Sequence, residues 1–215
     1  MKDDIKHSHI GDSLPLWHFE KDKLVFNDGS LGVGIKLKGI DISTATHEAI
    51  NSFCQQLRNL LNSLEEGIRI QIFYRLSSDI SDLLESHEAQ ASNISPETLP
   101  IVKSRMDFLR SNMQQKNFFS PEIYFFVRSK PYRFKKKGIF TKSQKFEQVF
   151  EDEFEEHEGD FNRVINQIYE HLENMQLAPT KLLSKEWFKL IFDYFNLERS
   201  EVIGHPRFTE QSDEL

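Results

Sequence analysis

A chain of 215 residues is long enough to bury a proper core in one domain or a domain and a half. Its 38% apolar and 28% charged residues describe a globular protein with a heavily charged surface, and the net charge of -7 argues against a protein that coats nucleic acid with its whole surface. One cysteine excludes an intramolecular disulfide and a thiol-based zinc cluster, and no stretch approaches the roughly 20 apolar residues that a bilayer demands.

Residues 1–13 are polar, carry His7 and His9 and show no period, so they read as a flexible terminus. Residues 14–20 read as extended, with Leu14, Leu16, Trp17 and Phe19 supplying bulk. Residues 24–37, LVFNDGSLGVGIKL, then read as two strands joined by a turn at Asn27-Asp28-Gly29-Ser30. Gly29, Gly32, Gly34 and Gly39 lie inside this hairpin, not between a strand and a helix, so they suit turns and close packing better than a phosphate loop.

A helix follows, with Ser43 or Thr44 as cap and Glu48 in its early turns, where a carboxylate suits the helix dipole. Ile50, Phe53, Cys54, Leu57, Leu60, Leu61 and Leu64 recur at spacings of three and four, which predicts an amphipathic helix with Cys54 as a small core residue and Gly67 as its end. Residues 68–76, IRIQIFYRL, alternate as a strand with one buried face. Ser77-Ser78-Asp79 offers a second helix cap, a polar loop runs to Pro96, and residues 97–117 predict a helix with Pro100 in its first turn. Ser120-Pro121 leads into Ile123-Tyr124-Phe125-Phe126-Val127, a strongly β-biased run expected in the middle of a sheet.

Residues 128–145 hold eight basic residues and no acid; residues 147–160 hold eight acids and no Lys or Arg. Arg128, Lys130, Tyr132, Arg133, Phe134, Lys135, Lys136 and Lys137 form the one candidate binding patch, since lysines with interleaved rings suit phosphate backbones, stacked bases or anionic lipid. The alternative is a solvated tract that pairs with the acidic helix after it. Phe146, Val149, Phe150 and Phe154, then Phe161, Val164, Ile165, Ile168, Tyr169 and Leu172, mark helical stripes on either side of Gly159. Ser184 is the expected cap of a last helix carrying Trp187, Phe188, Ile191, Phe192 and Phe195.

Catalytic patterns are missing. A Gly-x-x-x-x-Gly-Lys phosphate loop, zinc-protease or Cys-x-x-Cys spacings and a Gly-x-Ser-x-Gly elbow do not occur. His47, His87, His157 and His171 each fall on predicted helices without a partner fixed by spacing, which favours solvated or half-buried roles. No catalytic, cofactor or metal residue is assigned. The fold expected is α+β: a mostly antiparallel sheet opened by the hairpin and covered by helices over residues 14–140, a helical portion over 141–200, and a tail or link over 201–215.

The succession DGSLGVGIKLKGIDIST, LRNLLNSLEEG, IRIQIFYRLSSDI, RMDFL and IYFFVRSKP, followed by APTKLLSKEWFKLIFDYFNLERS, resembles the N-terminal domain of TraC-like proteins, the ATPases of conjugation and type IV secretion. The resemblance runs from about Leu14 to Ser200. It implies a bacterial, cytoplasmic protein peripheral to the inner membrane, whose parent powers pilus assembly or transfer of DNA and protein. It further implies that this part docks the motor onto inner-membrane components and neighbouring subunits. ATP and magnesium would belong to a C-terminal domain whose phosphate loop this sequence lacks, so no ATPase residue carries over.

Overall fold

The computed structural model describes residues 15–39, 45–78, 80–91, 97–115, 117–132, 151–196 and 204–205. Three strands open it: β1 (Leu16–Glu20), β2 (Lys23–Phe26) and β3 (Leu31–Leu37) pair antiparallel, with Glu20 opposite Lys23 and Leu24 opposite Gly32. The β2–β3 turn forms because Gly29 takes φ 73° and the Asp28 carboxylate accepts hydrogen bonds from the Ser30 amide at 3.0 Å and its hydroxyl at 2.6 Å. With β4 (Arg69–Ser77), β5 (Ser120–Arg128) and β6 (Thr180–Lys181) they make a six-stranded antiparallel sheet in the order β1-β2-β3-β5-β4, β6 pairing with β3. The expected α+β class holds, and β5 lies inside the sheet as its apolar run predicts.

Two compact units divide the chain, one of Met1–Ile72 with Tyr124–Leu215, the other Phe73–Ile123. In the larger unit β3 is the most deeply buried strand, with Leu31, Val33 and Ile35 essentially without solvent contact. Gly34 is bare because it must be: a Cβ there would sit 2.5 Å from Trp187 Cζ2 and 2.7 Å from Leu182 Cδ1. Trp187, on the helix of Ser184–Phe195, stacks on Phe126 with ring centroids 4.9 Å apart. The reading of the hairpin glycines as turn and packing positions is thereby confirmed at Gly29 and Gly34.

Among the described residues, three helices serve this unit. Helix α1 (His47–Asn62) is capped by Thr46, whose hydroxyl accepts the Ala49 amide at 3.2 Å; Ser43 and Thr44, the expected caps, lie outside the described residues. Leu60 is fully buried and Ile50, Phe53 and Leu57 are half-buried, but Cys54 is exposed, contrary to the core position expected for it. The reason is angular: Cys54 stands 100° round the helix from Phe53 and off the line through Ile50, Leu57 and Leu60.

After the two helices of the smaller unit come α4 (Glu151–Asn174) and α5 (Ser184–Phe195). Helix α4 runs unbroken through Gly159, where two separate stripes were expected, and buries Phe161, Val164, Ile165, Ile168 and Leu172. A single glycine in a long helix costs about 1 kcal/mol relative to alanine, less than this apolar face returns. Ser184 is the first residue of α5 rather than its cap; its amide and hydroxyl both donate to the Lys21 carbonyl, while the Glu186 carboxylate accepts the Leu183 amide at 2.8 Å. Lys23, 8% exposed, is held by Glu158 of α4 at 2.9 Å and by Asp22 at 3.2 Å. Burial pulls its ammonium pKa down, but the hydrogen bonds and charges of Glu158 and Asp22 outweigh that and leave it raised.

The smaller unit packs α2 (Ser81–Ala91) against α3 (Leu99–Gln114), which carries Pro100 in its first turn as expected. Ile80, Leu84 and Met106 form its core, flanked by Val102, Leu109, Met113 and Phe118. Arg75 on β4 and Glu122 on β5 are joined by a charge-assisted hydrogen bond, Nε to Oε2 at 2.7 Å.

Candidate functional site

Among the described residues, the densest polar cluster lies where the β2–β3 turn, the end of β5 and α4 meet. Arg128 closes β5 and reaches across to the turn. Its Nε donates to Ser30 Oγ at 2.7 Å, its terminal nitrogen to Asp28 Oδ2 at 2.8 Å, and its guanidinium lies 3.9 Å from the centroid of the Phe26 ring. Burial raises the Asp28 carboxyl pKa, but the Ser30 and Arg128 hydrogen bonds lower it by more, so it stays ionised below the ordinary carboxylate range.

Ser129 stands next along the chain and is 3% exposed. Its Oγ accepts the Leu31 amide at 2.9 Å and lies 3.1 Å from the Lys130 carbonyl oxygen and 3.3 Å from His157 Nε2. The Ser129 amide donates to the Leu31 carbonyl at 2.8 Å, and the Tyr132 amide to the Asp28 carbonyl at 3.2 Å. Tyr132 meets the His157 ring edge-on at 5.2 Å. Burial pushes the His157 imidazolium pKa down, Asp160 opposes that, and the Lys130 ammonium adds to it, so the neutral ring is favoured.

A serine hydroxyl beside a neutral imidazole has the parts of an activated nucleophile. The geometry here serves another end. The oxygen is sealed from solvent and already accepts a backbone amide, so no substrate carbon can reach it. Ser129 and His157 instead tie β3, β5 and α4 together, much as Arg128 ties β5 to the turn. Among the described residues no group of His, Cys, Asp or Glu is arranged to hold a metal ion.

The candidate patch is divided by this arrangement. Arg128 and Tyr132 are half-buried parts of the cluster. Lys130 is exposed, with its stem beside Gly67, where a Cβ would stand 3.1 Å from Lys130 Cβ. Arg133, Phe134, Lys135, Lys136 and Lys137 lie outside the described residues. Asp28, Ser30, Ser129 and His157 were not singled out as partners in the sequence; only the turn composition around Asp28 carried a signal, because contacts spanning 98 residues leave none.

The smaller unit has a cavity of about 360 Å³ lined by Glu88, Leu99, Val102, Met106, Asp107 and Arg110 among others. Glu88 and Arg110 pair across it, so its charges are matched internally. Larger apolar exposure occurs on β4, where Ile72, Tyr74 and Leu76 share one face and are 57%, 58% and 57% exposed. No helix among the described residues is long and apolar enough to cross a membrane.

Fold and site together define an α+β sheet domain whose conspicuous arginine, serine and histidine hold strands to one another. A family model described as type IV secretion system ATPase VirB4/TrbE, N-terminal domain, matches residues 24–136, more than half of the chain, and the chain belongs to that family. The match takes in β2 to β5 with Arg128, Ser129 and Tyr132, and it agrees with the TraC-like resemblance of the sequence. No curated protein and no solved structure matches the chain.

Proposed function

We propose that this domain is a non-catalytic docking and assembly part of a type IV secretion ATPase, contacting inner-membrane secretion components and neighbouring subunits at the cytoplasmic face of a bacterial inner membrane. The observation that carries the reading is the exposed apolar face of β4 in a domain of this family, since apolar and aromatic side chains left open to water are favoured at interface cores. ATP and magnesium are assigned to the nucleotide-binding domain of such an ATPase, not to this one. The purified chain is expected to hydrolyse no ATP and to bind an inner-membrane secretion component in a pull-down with purified partners; robust ATP turnover by this chain alone sinks the reading.

The eight basic residues of 128–145 favour a second reading, a module for nucleic acid or anionic membrane surface. It predicts binding that weakens steeply with salt and on charge reversal of Lys135, Lys136 and Lys137, measured by fluorescence anisotropy with labelled DNA and by vesicle sedimentation. Absence of binding at low salt dismisses it.

A further inference from the structure

Among the described residues, three that are not glycine hold a positive φ: Lys21 at 52°, Gln176 at 60° and Ala178 at 42°. That region is disfavoured for any residue with a Cβ, so its occupants persist only where the surrounding structure imposes it. All three stand at the moorings of one element, α5. Gln176 and Ala178 lie in the link from α4 to α5, and the Lys21 carbonyl accepts both the amide and the hydroxyl of Ser184, the first residue of that helix. Gln176 ends α4 in a position that usually falls to glycine: the Leu177 amide donates back to the Leu172 carbonyl at 3.1 Å, and the Gln176 amide to the Glu173 carbonyl at 2.8 Å. Ala178 precedes Pro179, whose ring drives the residue before it toward extended backbone of negative φ, against the conformation it holds. A fourth mark of stress sits on α5 itself. Trp187 Nε1 is a buried donor without a hydrogen-bond partner among the described residues.

We infer that α5 is a latch: together with β6 it leaves the sheet as a unit while β1 to β3 and α4 stay folded, and its departure relaxes the link. What holds it is narrow. Strand β6 contributes two residues, the Leu182 amide donates to the Gly34 carbonyl at 2.8 Å, and Trp187 and Leu182 fill the space over Gly34. The open form bares Trp187, Leu182 and Leu190, and the Phe126 ring on which Trp187 stacks, so the domain carries a second apolar surface that the closed form hides. The latch goes beyond the docking reading and stands without it, since every contact named is internal to the larger unit.

Gln176 and Ala178 are both exposed, so substitutions there change backbone preference and leave packing alone. Native-state hydrogen exchange of the full chain is expected to show the amides of Trp187 to Ile191 opening roughly tenfold more often than those of β3, and with a weaker urea dependence. Gln176→Gly and Ala178→Gly suit the closed link and are each expected to slow exchange in α5 about threefold; Ala178→Val, β-branched, should speed it by about the same factor. The β3 amides should move by that factor too, because global unfolding also frees the link. Equal opening of α5 and β3 in the native chain overturns the latch. So do variants that shift β3 but not α5, since the strain then stays in place when the helix leaves, and variants that shift neither.

Discussion

Gly34 sets how near helix α5 can come to the sheet. Adding one carbon there collides with Trp187 and Leu182, both buried, so neither can swing away cheaply. Gly34→Ala is expected to lower stability by about 1 to 3 kcal/mol, read from the urea midpoint, and pairing it with Trp187→Phe should return less than the sum of the two separate losses. His157 gives a pH prediction. Its imidazolium pKa is lowered in the fold by burial first and by Lys130 after Asp160 has opposed it, so the unfolded chain takes up the proton before the folded one does. The contribution is complete above the ordinary value of 6.5 and is lost as pH falls below it toward the folded value. Urea midpoints at pH 7.5 and 5.5 should differ by more in the native chain than in His157→Gln.

At the scale of elements, periodicity made the sheet strands and most helices legible, because alternation and the three-to-four spacing are local and each strand or helix writes its own. That one helix, α4, runs through Gly159 was not legible in the same way, since stripes on either side of a glycine do not say whether it joins or parts them; the buried face from Phe161 to Leu172 lies beyond it. The polar cluster was the least legible part. Arg128 looks from the sequence like the first charge of a basic run, yet its fork is spent on Asp28 and Ser30. Arg128→Lys is therefore expected to cost about 1 to 3 kcal/mol, since a lysine cannot span both acceptors, and the loss should appear as a lower urea midpoint in the absence of any ligand. Charge reversals at Lys135 to Lys137 are the cleaner probe of nucleic-acid binding, because Arg128 variants mix binding with folding.

For the molecule as a whole, the chain leaves the sheet after Ser77 and returns to it at Ser120, having built a second small core around Met106 on the way. Cores of that size open more readily than large ones, and local opening registers as amide exchange. Met106→Ala is expected to cost its unit about 2 to 5 kcal/mol and to speed exchange in α2 and α3 by at least tenfold, with the amides of β3 and α4 little changed. Uniform acceleration across both units would show that they unfold as one.

The two tryptophans occupy opposite environments. Trp187 is 6% exposed between β3 and α5, and Trp17 is 56% exposed on β1. The protein thus carries its own optical gauge: acrylamide should quench Trp17 and spare Trp187, so the emission that survives quenching reports whether α5 is seated on the sheet, without a label and at the concentrations used for partner binding.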